Sequence, residues 1–106
     1  MSAVSHDQIT EVYYITEGSG TLVTGGTMVD EKRSAPDSAV YKTLNGPSSS
    51  GSGLKGGTTR KVSAGDVIII PPKVGHWFSA MEGDHLDYLI IRVDPDHVLP
   101  AGFVDK

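Results

Sequence analysis

The chain has 106 residues, of which 38% are hydrophobic and 21% are charged, and it contains no cysteine. This length and composition are typical of one globular domain. The formal net charge of −4 argues against a nucleic-acid partner, because no basic patch is available for phosphates. The lack of cysteine excludes disulfides and thiolate metal sites, so a metal ion would have to be bound through nitrogen and oxygen atoms.

The first ten residues, MSAVSHDQIT, contain neither a basic region nor a long apolar one, so no signal peptide is expected. The longest apolar run, residues 67–72, is too short to cross a bilayer. We therefore expect a cytoplasmic protein that does not bind membranes.

Short segments rich in β-branched and aromatic residues alternate along the chain with Gly, Pro and Asp, a pattern that indicates strands joined by turns. Gly18-Ser19-Gly20 and Glu82-Gly83-Asp84 are expected to be two of these turns. The predicted strands span residues 11–16, 21–24, 27–29, 60–63, 67–70, 77–81 and 86–93. No segment shows sustained helical periodicity. The pattern predicts a single all-β domain over residues 1–106, built as an antiparallel sandwich or barrel.

Residues 31–58 do not follow this alternation of strand segments and turns. Nine of the twelve residues in the stretch GPSSSGSGLKGG, residues 46–57, are Gly or Ser. Such a composition predicts a flexible insertion that does not pack against a core. Residues 39–44, just before it, are expected to form one extra strand. An ordinary flexible insertion is the simpler interpretation, and a lid over a substrate site is the alternative.

Two stretches carry the residues on which a family resemblance rests. In HDQITEVYYITEG, residues 6–18, His6 is followed after four residues by Glu11 and after six more by Gly18. In GDVIIIPPKVGHWF, residues 65–78, Gly65 is followed after five residues by Pro71 and then by His76. Together these stretches resemble the two-part signature of the cupin superfamily, and the resemblance spans roughly residues 4–93. It implies an antiparallel jelly-roll barrel, also described as a double-stranded β-helix.

The resemblance also implies a divalent metal inside the barrel. Members of the superfamily bind it with two histidines and a glutamate of the first motif and one histidine of the second. Matched residue by residue, the implied ligands in this chain are His6, Glu11 and His76. Val4 stands where the family usually has its other histidine, which leaves the fourth ligand open. Gln8 is one candidate for that position.

Two residues depart from the family pattern, and two points concern the geometry near His6. Lys73 stands at the usual glycine of the second motif and Ala80 at a frequent asparagine. Asp7 offers a carboxylate ligand if the strand is irregular there. The odd spacing from His6 to Glu11 would place the two residues on opposite faces of a flat strand. A bend at Asp7-Gln8 is therefore required.

Two imidazoles and one carboxylate suffice to hold a divalent first-row metal and leave positions open for a substrate. This ligand set accepts iron, zinc, manganese or nickel, and the sequence does not choose among them.

Strand alternation predicts the lining of the pocket. If Glu11 faces the interior, Tyr13 does too, while Val12 and Tyr14 face outward. By the same rule His76 brings Phe78 and Ala80 inward and turns Trp77 outward. In residues 86–93, either Tyr88, Ile90 and Arg92 face inward, or Asp87, Leu89 and Ile91 do.

The first of these two sets would let Arg92 anchor an acidic substrate. We expect Tyr13, Phe78, Tyr88 and Arg92 to contact a small-molecule substrate, and Glu11 and Tyr13 to take part in catalysis.

The leading functional hypothesis is a metal-dependent enzyme. With iron it would be a dioxygenase, and with zinc, manganese or nickel an isomerase or lyase acting on a sugar or on a keto or hydroxy acid. The alternative is a non-catalytic cupin that binds a small molecule, with or without a metal. A third possibility is a structural domain of a larger polypeptide.

A homodimer is also expected. The first motif begins by residue 4, so strands that usually precede it would come from a second chain, unless the chain is part of a longer protein. Val12, Tyr14 and Trp77 would then form an apolar outer face for the second subunit.

Overall fold

A computed structural model of the protein describes residues 2–99. Nine strands account for most of this range, and a short π-helix, Val40–Asn45, lies between the fourth and fifth strands. The strands are β1 Ala3–His6, β2 Thr10–Thr24, β3 Thr27–Val29, β4 Lys32–Arg33, β5 Ser48–Gly51, β6 Gly53–Lys55, β7 Thr58–Ser63, β8 Val67–Ile70 and β9 His76–Val93. No helix in the described part of the chain is long and apolar enough to span a membrane.

The strands form one large antiparallel sheet and one small one. In the large sheet the order is β4-β5-β1-β9-β2-β7, and β8 pairs with β2 beside β7. Strands β3 and β6 pair separately. The prediction of an all-β antiparallel fold is confirmed.

A long ribbon of β2 and β9 forms the centre of the fold. The two strands pair from Thr10 opposite Val93 to Thr24 opposite His76. The expectation that turns at residues 18–20 and 82–84 divide these segments is wrong. The two glycine-containing triplets instead lie across from each other and produce register shifts within the ribbon, because Gly18 pairs with Leu86 whereas Ser19 pairs with Glu82. Residues 83–85 thus form a bulge, which bends a strand without ending it.

The hydrophobic core lies on the inner side of this bent ribbon. Its buried side chains come from β2, β7, β8 and β9, and they are Tyr13, Ile15, Leu22, Val62, Ile68, Ile70 and Phe78. A second, smaller cluster of Ala3, Val23 and Leu54 lies on the other side of the ribbon. Trp77 packs against this second cluster and is half-buried. Trp77 points away from the main core as expected, but its side chain is less exposed than the sequence analysis predicted.

The Gly/Ser-rich insertion is ordered into strands. Residues 48–51 form β5, which pairs with β1 from Ala3 opposite Gly51 to His6 opposite Ser48. Ser48 and Ser49 are buried. The expectation that this composition does not pack is wrong here, because backbone hydrogen bonds need no large side chains and small residues permit close approach. The extra strand expected at residues 39–44 is also wrong, since a π-helix occupies 40–45.

Gly18 offers a test of the bulge. Gly18 and Gly83 both have positive φ, 85° and 75°, but only at Gly18 would an added Cβ overlap a neighbour, the backbone carbonyl of His85. We expect Gly83→Ala to lower the free energy of unfolding by about 1–2 kcal/mol through backbone strain alone. We expect Gly18→Ala to cost about 1–3 kcal/mol more through overpacking.

Urea unfolding of the two variants and the parent chain measures this difference. Equal losses for the two substitutions would contradict the close packing of residues 83–85 over Gly18.

Candidate metal centre

Three distant residues meet at one buried point. His6 ends β1, Glu11 lies at the start of β2, and His76 begins β9. The Nε2 atom of His6 lies 3.1 Å from Glu11 Oε1, and the Nε2 atom of His76 lies 3.0 Å from the same oxygen. The three residues are 1–4% exposed. Residues 7–9, which connect β1 to β2, are not part of a strand, and the chain bends at Asp7-Gln8. This confirms the bend that the odd spacing from His6 to Glu11 required.

Hydrogen bonds on the far side of each imidazole orient both rings. His76 Nδ1 lies 3.2 Å from the carbonyl oxygen of Val74. Because a carbonyl only accepts, this contact places the proton of His76 on Nδ1. His6 Nδ1 lies 2.8 Å from Ser48 Oγ, and the Ser48 hydroxyl donates to the Gly46 carbonyl at 3.0 Å. The Ser48 oxygen is then the acceptor for a proton on His6 Nδ1.

These contacts direct two nitrogen lone pairs at a carboxylate oxygen. A neutral imidazole carries one proton, so an Nδ1–H tautomer leaves Nε2 unprotonated. Among residues 2–99, the buried Nε2 of His76 has no hydrogen-bond partner, although it lies 3.0 Å from Glu11 Oε1. Three electron-rich atoms so close together need a cation between them, either a proton on one imidazole or a metal ion. Orientation of a histidine through its second nitrogen is the usual arrangement around protein-bound metals.

Glu11 is the most heavily contacted residue of the centre. Its Oε1 accepts a hydrogen bond from the Tyr13 hydroxyl at 3.2 Å, and its Oε2 lies 3.1 Å from Arg92 Nε. Burial alone would raise the pKa of the Glu11 carboxyl, but a proton on the His6 or His76 Nε2 atom beside Oε1 outweighs burial, through a hydrogen bond and its positive charge, and holds the pKa well below its usual range. Glu11 is therefore a carboxylate at neutral pH.

Aromatic rings form one wall beside the centre. Tyr13 stacks on Phe78 with ring centroids 5.7 Å apart, and on Tyr88 at 5.2 Å. The Tyr13 ring also meets His76 edge-on. Burial, followed by the charge of Glu11, raises the pKa of the Tyr13 hydroxyl, and burial raises that of Tyr88. Both phenols therefore stay protonated and can donate hydrogen bonds.

A small cavity of about 110 Å³ adjoins the centre, with Val4, Tyr13, His76, Phe78 and Tyr88 in its lining. It has room for a few non-hydrogen atoms, given that a water molecule occupies about 30 Å³ of liquid. Val4 pairs with His76 in the β1–β9 ladder, so the position where the family usually has a histidine here contributes an apolar wall.

The structure brings together most of the residues predicted for the site. In β9, Tyr88 and Ile90 pack against the main core and Arg92 reaches Glu11, whereas Leu89 and Ile91 are exposed. The first of the two alternatives for residues 86–93 is therefore confirmed. The catalytic and substrate-binding roles of Glu11, Tyr13, Phe78, Tyr88 and Arg92 stay predictions.

Three expectations about neighbouring residues change. Asp7 forms a two-pronged ion pair with Arg33, at 2.9 and 2.6 Å, so its carboxylate is not directed at the centre. Among residues 2–99, no hydrogen bond or ion pair joins Gln8 to the three central residues. Ala80 is exposed and not inward-facing, because a register shift separates its pairing with Thr21 from that of the preceding strand residues.

Ser48 is the site residue that the sequence did not reveal. It belongs to the Gly/Ser-rich stretch, where one serine looks like the next, and only the pairing of β5 with β1 places it opposite His6. No signal in the sequence distinguishes it from Ser49 or Ser50.

A second group of possible ligands, Glu17, His85 and Asp87, lies at the bulge and is exposed. His85 Nε2 pairs with Glu17 Oε1 at 3.0 Å. Exposure to water makes this group a weaker candidate than the buried one.

Ring tautomers test the orientation of the two buried histidines. In metal-free protein, nitrogen NMR of the imidazoles should find a proton on Nδ1 of both His6 and His76, with a second proton on Nε2 of one of the two rings. Ser48→Ala should lower this preference for His6 alone, because His76 donates to a backbone carbonyl. Loss of the buried hydrogen bond should also cost about 1–3 kcal/mol of stability. Ser50→Ala, on the exposed side of the same strand, is the control, and a His6 ring without a proton on Nδ1 in the parent chain would contradict the assignment.

Comparison with known proteins agrees with this geometry. The sequence profile of the family described as Cupin matches residues 1–103, which is nearly the whole chain. No curated protein and no solved structure gives a significant match. The family match covers both motifs, and the two histidines and the glutamate that carry those motifs converge in the structure. The chain therefore belongs to the cupin family.

Proposed function

We propose that the protein binds a divalent transition metal through His6 Nε2, Glu11 Oε1 and His76 Nε2, and that a small molecule binds beside it. The observation that carries the proposal is the convergence of these three atoms in a buried site, with the His76 nitrogen left without a hydrogen-bond partner. A buried polar atom without a partner is costly, and a metal ion would satisfy it.

The spacing of the three atoms supports this assignment. Nitrogen and oxygen ligands lie about 2.0–2.2 Å from a divalent metal, so two neighbouring ligands at right angles are separated by about 3 Å. The two imidazole nitrogens lie 3.1 and 3.0 Å from the Glu11 oxygen. Two imidazoles and a carboxylate suit iron, zinc, manganese or nickel.

Such a metal, when bound, would supply Lewis acidity toward a carbonyl or hydroxyl group, and iron would also supply redox chemistry with dioxygen. The protein's own residues have complementary tasks. Glu11 supplies the negative charge of the site, and Arg92 holds the other carboxylate oxygen of Glu11 in place. The protonated Tyr13 hydroxyl donates to Glu11 at 3.2 Å, and by turning from Glu11 it would give a hydrogen bond or a proton to a bound molecule.

The cavity and the charges favour a small, acidic substrate. Tyr13, Phe78 and Tyr88 form an aromatic wall of the cavity beside His76. Arg92 uses its Nε atom on Glu11, and a guanidinium group has further N–H donors for a substrate carboxylate. We propose a small keto acid or hydroxy acid as the substrate class.

Within this proposal the protein is an enzyme, either a dioxygenase or an isomerase or lyase. A cytoplasmic location, which the cysteine-free composition favours, stays a prediction.

A second function, metal-free binding of a small molecule, is supported by one specific contact. The ion pair between Arg92 and Glu11, together with a protonated His6, would neutralise the carboxylate without any metal. Val4 in place of a fourth ligand would also weaken metal binding relative to a four-ligand site.

Metal content distinguishes these two functions. We expect protein purified without added metal to contain close to one transition-metal ion per chain, and His76→Ala to lose it, because one of three ligands is removed. His97→Ala, which changes an exposed histidine outside the centre, should retain the metal. Elemental analysis by mass spectrometry provides the measurement, and metal content that is unchanged in His76→Ala would refute the ligand assignment.

Oxygen dependence distinguishes the two enzyme classes. Once a turned-over acid is identified, anaerobic assays should stop the reaction of a dioxygenase and leave that of an isomerase or lyase unchanged. Product formation measured by chromatography with and without oxygen gives the answer. Tyr13→Phe should slow an isomerase or lyase by about 100-fold or more if its hydroxyl transfers the proton.

A further inference from the structure

One arginine joins two chain segments that lie beside His6. Arg33, in β4, forms a two-pronged ion pair with Asp7, in which Nη1 lies 2.9 Å from Oδ1 and Nη2 lies 2.6 Å from Oδ2. The same Nη1 atom donates a hydrogen bond to Ser49 Oγ at 2.8 Å. Three N–H groups of the guanidinium are used in these bonds. They hold Asp7 and Ser49 to one rigid, planar group.

Asp7 and Ser49 are direct neighbours of the residues that place the His6 ring. Asp7 follows His6 in the chain, at the bend that leads to β2. Ser49 follows Ser48, whose hydroxyl oxygen lies 2.8 Å from His6 Nδ1. Strand β5 lies between β1 and β4, and Ser49 is opposite Arg33 in the β4–β5 pair. Arg33 therefore holds both sides of the contact that orients the ring.

Backbone hydrogen bonds tie the same region together independently of the arginine side chain. The Asp7 N–H donates to the Pro47 carbonyl at 2.8 Å, and the Ser34 N–H donates to the Ser48 carbonyl at 2.9 Å. The Ser34 hydroxyl accepts from the Ser48 N–H at 3.0 Å. These bonds do not involve the guanidinium. We therefore expect a substitution of Arg33 to loosen the orientation of the ring without separating the strands.

The exposure of the ion pair indicates what it contributes. The side chains of Arg33 and Asp7 are 54% and 32% exposed, and exposed ion pairs add little to stability. A bidentate pair between a guanidinium and a carboxylate nevertheless fixes the relative orientation of its two partners. Groups that orient a metal-binding histidine typically change metal affinity by about 10- to 100-fold. The main effect of this pair is therefore expected on the geometry of the centre.

We propose that Arg33 is a positioning residue of the metal centre: through Asp7 and Ser49 it keeps the His6 Nε2 atom directed at the site. The inference rests on the proposed function and gives a role to residues 31–58. The sequence predicted a flexible insertion or a lid over a substrate for this segment. In the structure the segment carries both Arg33 and Ser48, so it supports a metal ligand from the side opposite the ion.

Titration of metal-free protein with Zn²⁺, in competition with a chelating indicator dye, tests this role. We expect Arg33→Gln to raise the dissociation constant for Zn²⁺ at least about tenfold. Arg33→Lys should weaken binding too, because lysine keeps the charge but lacks the planar fork. Arg60→Gln, which changes an exposed arginine of β7, is the matched control and should bind Zn²⁺ like the parent. Equal dissociation constants for the two glutamine variants would overturn the role of Arg33, whereas a parent chain that binds no Zn²⁺ would refute the proposed metal site itself.

A second experiment needs no metal. In metal-free protein, the Nδ1 proton of His6 should exchange with water at least about tenfold faster in Arg33→Gln than in Arg60→Gln, because its serine acceptor is held less firmly. The Nδ1 proton of His76, which is donated to the Val74 carbonyl, should exchange at the same rate in both variants. NMR of nitrogen-labelled histidine measures both rates. Unchanged exchange at His6, or equally faster exchange at both histidines, would overturn the proposal.

Discussion

One buried carboxylate organises the functional end of this domain. Glu11 receives contacts from two imidazoles, a phenol and a guanidinium group, and these groups come from β1, β2 and β9. A buried charge is stable only when such partners surround it. The position of Glu11 therefore fixes which strands must meet and which of their faces must turn inward. The fold and the site are consequences of the same constraint.

The same alternation that turns Glu11 and Tyr13 inward leaves exposed apolar residues on the other side of the sheet formed by β8, β2 and β9. On β9 it places Tyr88 and Ile90 against the core while Leu89 and Ile91 remain exposed. The site and this exposed apolar surface are thus the two sides of one three-stranded sheet. A change in the twist of β2 would move residues on both sides, because packed sheets transmit small displacements.

Local patterns in the sequence predicted strand segments within β2, β3, β7, β8 and β9, but not the strands β1, β4, β5 and β6. The β-branched run at residues 67–70 predicts β8, and the resemblance to the two cupin motifs implies the convergence of His6, Glu11 and His76. Two further features could not be predicted from local patterns, because they depend on strand pairing between distant segments of the chain. Gly18-Ser19-Gly20 looks like a turn until β9 supplies a matching irregularity. Ser48 looks like part of a linker until β5 pairs with β1 and brings it to His6.

The central ribbon has a consequence for how the molecule folds. Strand β2 lies near the beginning of the chain and β9 near its end, yet they pair along their whole lengths. Closing so large a loop costs chain entropy before any contact is gained, and pairings of this kind slow the folding of small domains. Before β9 docks, His76 is not beside His6 and Glu11, so the three proposed ligands are not yet together. A metal ion bound by these residues would therefore stabilise the finished fold and not its early assembly.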